Sequence, residues 1–377
     1  MLQMKDRRVL LYLGKFPGYG FDIDGGSILA RRLIDLLKTR CCLDVVFIRK
    51  NHEEYIEDQI HSIRYVEYID AKNNKFTRRL ENLQTNRDAI GDYRLYDTII
   101  TAHVSKFFGF EQESESFWKK TILFPMFCTS SYKKAGEMVP SIYTDFENAV
   151  MSKVERIICP SIVEKEDLVR DYQITPSKIQ IIPRGIPTLF YHTNNKTGSP
   201  SPAIAYIGSI KPQKNNLDAL KVLHCLRKSG IAAHLHLICT VQDERVYQNM
   251  QNYINSHELG AYVHFHFEQK QEEVAHLLHQ MDINISVSNW ETFGRGIYEG
   301  IASELPTFVY DRLTGVRQFC DDNIGVTFVK EHHEMASEII NVLMNPQLYK
   351  RMVLALRGFR DKISVNNEEE LLLKALL

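Results

Sequence analysis

The stretch INISVSNWETFGRGIYEGIA at residues 283–302 predicts a buried strand, a glycine-containing loop and a helix, in that order. The segment at 283–287, with apolar residues at 283, 285 and 287, has the length of a strand, and the spacing of apolar residues from 295 onward is that of a helix. Similar strand-then-helix units recur along both halves of the chain. Continuous apolar strands that alternate with helices are typical of a parallel sheet with helices on both faces.

One polar run interrupts this alternation. Residues 192–202 are rich in Gly, Ser, Pro and Asn, which is typical of a linker. We therefore predict an α/β fold with two doubly wound, Rossmann-like domains that face each other across a cleft. The predicted domains are residues 1–187 and 188–359, and the helix at about 360–377 is expected to return to the first domain.

The composition excludes several classes of protein. The 377 residues suit two domains, and the net charge of −1 offers no basic excess for a nucleic-acid partner. Seven scattered cysteines without a C-x-x-C pair predict free thiols rather than a zinc site. Without a secretion signal or a membrane-length apolar run, the sequence favours a cytoplasmic location.

The opening stretch also carries two carboxylates, Glu291 and Glu299, eight residues apart. A helical segment of that length rises about 12 Å, which is too far for both groups to act on one bond. The spacing suits an extended polar ligand held at two points. Gly294 and Gly296 allow close backbone approach, and the helix start offers N–H groups to an anion. In the alternative interpretation, Glu291 is an acidic residue at the start of the helix and Glu299 lies on a solvent-exposed helix face.

Two further loops follow predicted strands. After the strand at 203–207, Gly208 and Ser209 precede Lys214, and a glycine with a nearby lysine is a phosphate-binding arrangement. In the first domain, Gly25 and Gly26 open the first helix. Neither loop has the G-x-G-x-x-G or G-x-x-x-x-G-K-[ST] pattern, which argues against a nicotinamide dehydrogenase and a P-loop NTPase.

Taken together, these loops resemble the retaining GT-B glycosyltransferases, the family with an E-x7-E motif that includes glycogen synthase-like enzymes and bacterial mannosyl- and glucosyltransferases. Glu291 through Glu299 and on to Pro306 matches the motif, and Ile182 through Ile186 is similar to the family's strand ending in Pro-Asn-Gly-Ile. The strand that ends at His103 and the pair Gly25-Gly26 also fit. The resemblance runs through nearly the whole chain and is strongest at residues 203–325.

The resemblance implies a role for each of these residues. Glu291 would bind hydroxyls of the donor sugar, Glu299 the ribose hydroxyls, and Lys214 the leaving diphosphate. Gly25 and Gly26 would let the first domain close over the phosphates. The remaining donor contacts would come from Gly208 and Ser209, from the backbone of Thr292, Phe293, Gly294 and Arg295, and from Phe267 and Glu268 beside the base.

Three of the departures from the family pattern concern charge. Ser209 stands where the family usually has a second diphosphate-binding Arg, Arg184 replaces an Asn, and Arg295 replaces an apolar residue. We hypothesise that Arg184 or Arg295 supplies the missing charge. For His103 two interpretations stay open: it lines the acceptor site near the reacting carbon, or it caps the end of a strand.

The expected activity is transfer of a hexose-type sugar from a UDP- or GDP-linked donor to a saccharide or lipid-linked acceptor, in surface-glycan or glycoconjugate biosynthesis. The resemblance implies no cofactor and no metal. A basic amphipathic stretch with Lys72, Lys75, Arg78 and Arg79 suits either peripheral membrane contact or a solvated helix face. The alternatives are a non-catalytic glycosyltransferase-like partner subunit and a nucleotide-sugar epimerase of the same fold.

Overall fold

The computed structural model describes residues 5–14, 25–48, 58–68, 80–126, 128–134, 136, 138–194, 199, 201–320 and 324–376. The chain divides into two compact units. The first contains residues 1–182 and 370–377, and the second contains residues 183–369.

The described part of the first unit is built on a parallel sheet with the order β3-β2-β1-β4-β5-β6-β7. Residues of β1 alternate between two apolar clusters: Leu10 and Tyr12 enter one, and Leu11 enters the other. The sheet is therefore buried on both faces, as the continuous apolar strands predict. The strands are β1 Arg8–Leu13, β2 Cys42–Ile48, β3 Ser62–Val66, β4 Thr98–Ala102, β5 Thr121–Phe124, β6 Arg156–Cys159 and β7 Ile179–Ile181. The helices are Gly25–Leu37, Leu83–Ile90, Glu115–Trp118, Thr129–Lys134, Ser141–Met151 and Ile162–Tyr172.

The second unit has a parallel sheet with the order β10-β9-β8-β11-β12-β13 over its described residues. The strands are β8 Ala203–Ile207, β9 His234–Cys239, β10 Val263–Phe267, β11 Ile283–Ser286, β12 Thr307–Tyr310 and β13 Val326–Val329. The helices are Asn216–Lys228, Glu244–Ser256, Gln271–Gln280, Arg295–Ala302, Thr314–Cys320, His332–Leu343 and Pro346–Phe359. The last helix, Val365–Leu376, begins in the second unit and ends in the first, where Leu372 packs into the core.

Both sheets reverse their strand order at one point, between β1 and β4 in the first and between β8 and β11 in the second. This is the doubly wound arrangement that the sequence predicts, so the predicted fold class is confirmed. In such sheets, ligands bind beyond the carboxyl ends of the strands at the point of reversal. The loops after β8 and β11 are therefore the first place to look for a site.

The structure differs from the sequence prediction in few elements. Strand β13 was not predicted, because a run of four residues after Gly325 is too short to show a period. The basic amphipathic stretch at 72–79 lies outside the described residues, and the helix Leu83–Ile90 follows it. The seven cysteines lie within the described residues and none forms a disulfide bond, as predicted.

Candidate functional site

The loops after β8 and β11 are joined into one surface. Ile285 of β11 pairs with Tyr206 of β8, so the two loops leave the same sheet edge side by side. The Asn289 backbone N–H donates to the Gln213 carbonyl at 2.9 Å, and Gln213 Nε2 donates to the Trp290 carbonyl at 3.0 Å. The position of one loop is therefore fixed by the other.

Lys214 and Glu291 meet at the centre of this surface. Lys214 Nζ lies 2.5 Å from Glu291 Oε1, although the two residues are 77 positions apart in sequence. Ser288 Oγ donates to the same oxygen at 2.7 Å. Among the described residues no donor contacts Glu291 Oε2, so that oxygen is available to a ligand hydroxyl. The structure thus brings together the two residues to which the sequence assigns the largest roles.

Buried side chains hold the backbone around Lys214. The Tyr206 hydroxyl donates to the Lys214 carbonyl at 3.0 Å, and Asn216 Nδ2 donates to the Tyr206 hydroxyl at 3.1 Å. Both Tyr206 and Asn216 are buried. A Cβ at Gly208 would lie 3.4 Å from Lys214 Cδ, so Gly208 gives the lysine stem the room it needs. Lys214 therefore occupies a position set by the core.

The helix Arg295–Ala302 follows Glu291 through a glycine turn. Gly294 has φ of 81°, a conformation that glycine adopts without strain, and it caps the helix. Gly296 lies directly against β8, because a Cβ there would come within 2.8 Å of the Ile207 side chain. Thr292 is partly buried, and Phe293 is buried with its ring stacked on Tyr298 at 4.4 Å. The helix N-terminus is thus brought next to the loop that starts at Gly208.

Glu299 lies on this helix with Arg295. Arg295 Nε donates to Glu299 Oε1 at 2.7 Å, and the carboxylate side chain is 9% exposed. Arg295 Nη2 is buried and has no hydrogen-bond partner among the described residues. The pair places a carboxylate and an unused donor on the helix that begins at the site, in keeping with the two-point ligand that the sequence predicts.

Ser209 and the end of β10 lie along the same edge. Ser209 Oγ is contacted by Thr240 Oγ1 at 3.4 Å. Two strands away from β8, Phe267 is 40% exposed and stacks on Phe265 with 5.4 Å between ring centroids. Glu268 has φ of 53°, and its backbone N–H donates to the Cys239 carbonyl at 3.1 Å. An aromatic side chain is thus presented at the carboxyl edge, where the sequence predicts the base of the donor.

Arg184 contacts the last helix. Its Nη1 atom lies 3.7 Å from Glu368 Oε1, and the Gly185 N–H donates to Glu368 Oε2 at 2.9 Å. A Cβ at Gly185 would come within 2.5 Å of Val365 Cα, so the chain needs glycine to pass here. The donor-binding role of Arg184 stays a prediction.

In the first unit, Gly25 and Gly26 lie in the first turn of the helix Gly25–Leu37, and residues 15–24 lie outside the described part. His103 follows β4 with φ of 148°, and its Nδ1 accepts from the Ser105 N–H at 3.2 Å. His103 therefore caps the turn Val104–Phe107. This contact agrees with the capping interpretation, and its role toward an acceptor stays a prediction. The basic stretch at residues 72–79 lies outside the described residues.

One residue at the carboxyl edge of the second unit's sheet, Lys211, has no role predicted from the sequence. Lys211 is partly buried two positions beyond Ser209. Burial lowers the pKa of its ammonium, and the charge of Lys214 lowers that pKa further. The only sequence signal was its place between the glycine and Lys214.

Family models match two adjoining parts of the chain. Residues 190–357 match the model of group 1 glycosyl transferases, and residues 116–189 match the model of glycosyltransferase family 4. No significant match is found among curated protein sequences. The first of these matches contains every residue of the β8 and β11 loops described above.

Solved structures match almost the entire chain. Sucrose-phosphate synthase from Thermosynechococcus elongatus is 14% identical over 98% of both chains, with a TM-score of 0.80. HepE from Anabaena, solved in complex with UDP and glucose, is 13% identical over 98% of this chain and 99% of its own, with a TM-score of 0.73. WaaG, a glycosyltransferase involved in lipopolysaccharide biosynthesis, is 15% identical over 96% and 97%, also with a TM-score of 0.73. At these identities the matches establish the GT-B fold.

Within the described ranges, no helix combines the length and the apolar character needed to cross a bilayer. In the same part of the chain, no three His, Cys, Asp or Glu side chains are grouped so that they would hold a metal ion.

Proposed function

The chain carries a glycosyltransferase family 4 domain and a group 1 glycosyl transferase domain over residues 116–357, and from this premise we propose that it is a retaining glycosyltransferase. It would move a hexose-type sugar from a UDP- or GDP-linked donor to a saccharide or lipid-linked acceptor, in the assembly of a surface glycan or glycoconjugate. The observation that carries the proposal is the Lys214–Glu291 pair at the point where the strand order reverses.

The chemistry of that pair suits departure of a nucleoside diphosphate. Negative charge develops on the leaving phosphate, and a partly buried ammonium stabilises that charge more strongly than water does. Lys214, whose side chain is 17% exposed, supplies such an ammonium. The start of the helix Arg295–Ala302 adds backbone N–H groups beside it. We propose that these groups carry the charge without a metal ion.

The carboxylates would position the sugar nucleotide. Glu291 Oε1 is held by Lys214 and Ser288, which leaves Oε2 to accept a hydrogen bond from a sugar hydroxyl. Glu299, held by Arg295, would accept the ribose hydroxyls. A site built to hydrogen-bond hydroxyl groups rejects ligands that lack them, because its buried polar atoms would then stay unpaired. We propose His103 and the first unit for the acceptor.

A ligand panel tests this function directly. The full-length protein is heated with UDP, GDP, ADP and the matching nucleotide sugars, since a ligand that binds only the folded state raises the melting temperature. We expect a rise with one base, followed by sugar transfer or slow donor hydrolysis, in EDTA as in buffer. Isomerisation of the donor without acceptor would favour an epimerase. Absence of both donor binding and turnover would favour a non-catalytic partner subunit.

A further inference from the structure

The loop between β8 and the helix Asn216–Lys228 contains a second lysine, Lys211, one turn before Lys214. The Lys214 N–H donates to the Lys211 carbonyl at 3.0 Å, which closes a 3₁₀ turn. Lys211 is extended and directly precedes the turn Pro212–Lys214, so the two lysines stand at its two ends. The Lys211 N–H donates to Oδ1 of buried Asn216 at 3.1 Å, so the backbone at Lys211 is fixed as firmly as that at Lys214.

The charges around Lys211 are not balanced. Its side chain is partly buried. Burial and the charge of Lys214 lower the pKa of the Lys211 ammonium, and the charge of Glu291 raises it. Glu291 already forms an ion pair with Lys214. No carboxylate of the described residues lies within the 4.0 Å of an ion pair from Lys211. Two cations therefore share one carboxylate at this edge, and a partly buried charge without a counter-ion is costly unless an anion is bound.

The arginines that the sequence offered as the second cation are placed differently. Arg184 lies against Glu368, and Arg295 donates to Glu299, so each already faces a carboxylate. Ser209, at the position where the resemblance expects an arginine, brings no charge. Lys211 lies two residues further along the same loop and on the same turn as Lys214.

We propose that Lys211 is a second phosphate-binding residue of this site and that it holds, with Lys214, the diphosphate of the donor and of the nucleoside diphosphate product. The inference deepens the proposed function and rests on it. One lysine would neutralise each phosphate group. The ligand class is a nucleoside diphosphate, whose negative charge two neighbouring lysines would balance.

The test compares nucleoside diphosphate binding by the full-length protein and its Lys211→Ala variant. Calorimetry with UDP and GDP first identifies the base that the wild-type protein binds. We expect Lys211→Ala to weaken binding of that diphosphate by about 10- to 100-fold, the usual loss for a hydrogen bond to a charged group. Binding of the corresponding nucleoside should change less than threefold. Lys211→Arg should recover most of the diphosphate affinity.

Controls separate this inference from a structural effect. Lys228→Ala removes an exposed lysine at the far end of the next helix and should leave diphosphate affinity unchanged. Wild-type affinity for the diphosphate in Lys211→Ala would overturn the inference while leaving the proposed function intact, as would equal losses for diphosphate and nucleoside. If the wild-type protein binds none of the probes, the proposed function fails and this inference fails with it.

Discussion

The two units reverse their strand order in the same way but place different chemistry at the reversal. In the second unit, Lys211, Lys214 and Glu291 lie at the carboxyl edge of the sheet, and the two lysines outnumber the carboxylate. In the first unit, most of the loop after β1 lies outside the described residues, and the turn after β4, the counterpart of the β11 loop, carries His103 and Lys106. Lys106 is buried, with its ammonium over the ring of Tyr68 and hydrogen-bonded to the Tyr68 hydroxyl at 2.8 Å.

The difference indicates what each edge is suited to bind. A cation enclosed by aromatic rings is already stabilised by their quadrupoles and is poorly placed to attract an anion. Two lysines that share one carboxylate attract an anion strongly. The described residues at the second edge are therefore suited to an anionic ligand, whereas the Lys106 charge in the first unit is already stabilised within the protein.

Removing the central ion pair is expected to have the largest effect. Lys214→Ala and Glu291→Ala should each lower sugar transfer by about 100- to 1,000-fold, since each group is proposed to act where charge or bond orientation changes most. The double variant should lose little more than either single one, because the two side chains act as a unit. Steady-state kinetics with the donor identified by thermal shift measure these losses.

Two exposed residues serve as matched controls for that experiment. Lys228→Ala and Glu272→Ala remove the same charges from the surface of the same unit. They should transfer sugar at the wild-type rate. Wild-type rates in both Lys214→Ala and Glu291→Ala would remove the physical basis of the proposed function.

Much of the second edge follows from local sequence. The apolar run before Glu291, the glycines at 294 and 296 and the lysine at 214 each have a local signature, and the parallel-sheet rule then brings their loops to one edge. Strand β8 begins and ends at residues 203 and 207, where the sequence predicts it, because its short apolar run ends at the turn residue Gly208.

Other features required coordinates. The role of Lys211 depends on which cations already face a carboxylate, and the partners Glu368 and Glu299 of the two arginines are contacts that no single-sequence pattern specifies. The close contact of Gly296 with Ile207 is likewise a tertiary contact between residues far apart in sequence. Patterns locate loops, whereas charge balance within a loop depends on tertiary contacts.

A substitution at His103 sharpens the comparison from the side of the first unit. Its φ of 148° favours glycine, so His103→Gly relieves backbone strain of about 1 kcal/mol while losing a cap of similar value. The melting temperature should therefore change little. We expect sugar transfer to fall by about tenfold with donor affinity unchanged, if the imidazole contributes to acceptor chemistry.

Ser105→Ala is the matched control, because it removes the hydroxyl partner of His103 but keeps the imidazole. It should lower stability slightly and leave transfer close to wild type. Equal transfer by His103→Gly and the wild-type protein would assign His103 to capping alone.

Acid provides the smallest and most selective test of the difference between the units. On β9 and β10 of the second unit, His234 and His236 pair with His264 and His266 at 3.0 and 3.1 Å. Burial, together with the charges of the neighbouring histidines, lowers the pKa of His236 to about 4. In the unfolded chain, His236 takes up a proton near pH 6.5, whereas in the folded protein it does so only near pH 4. The free energy of unfolding therefore falls as pH drops from about 6.5 to about 4.

Because His236 is only partly buried, we expect a loss of about 1–2 kcal/mol over that range, discounted for solvent screening. His236→Gln, which cannot take up the proton, should flatten the pH dependence of urea unfolding between pH 6.5 and 4. If His236→Gln kept the wild-type pH dependence of unfolding, other groups would cause the loss of stability in acid. The contrast between the units would then depend only on the carboxyl edges of the two sheets.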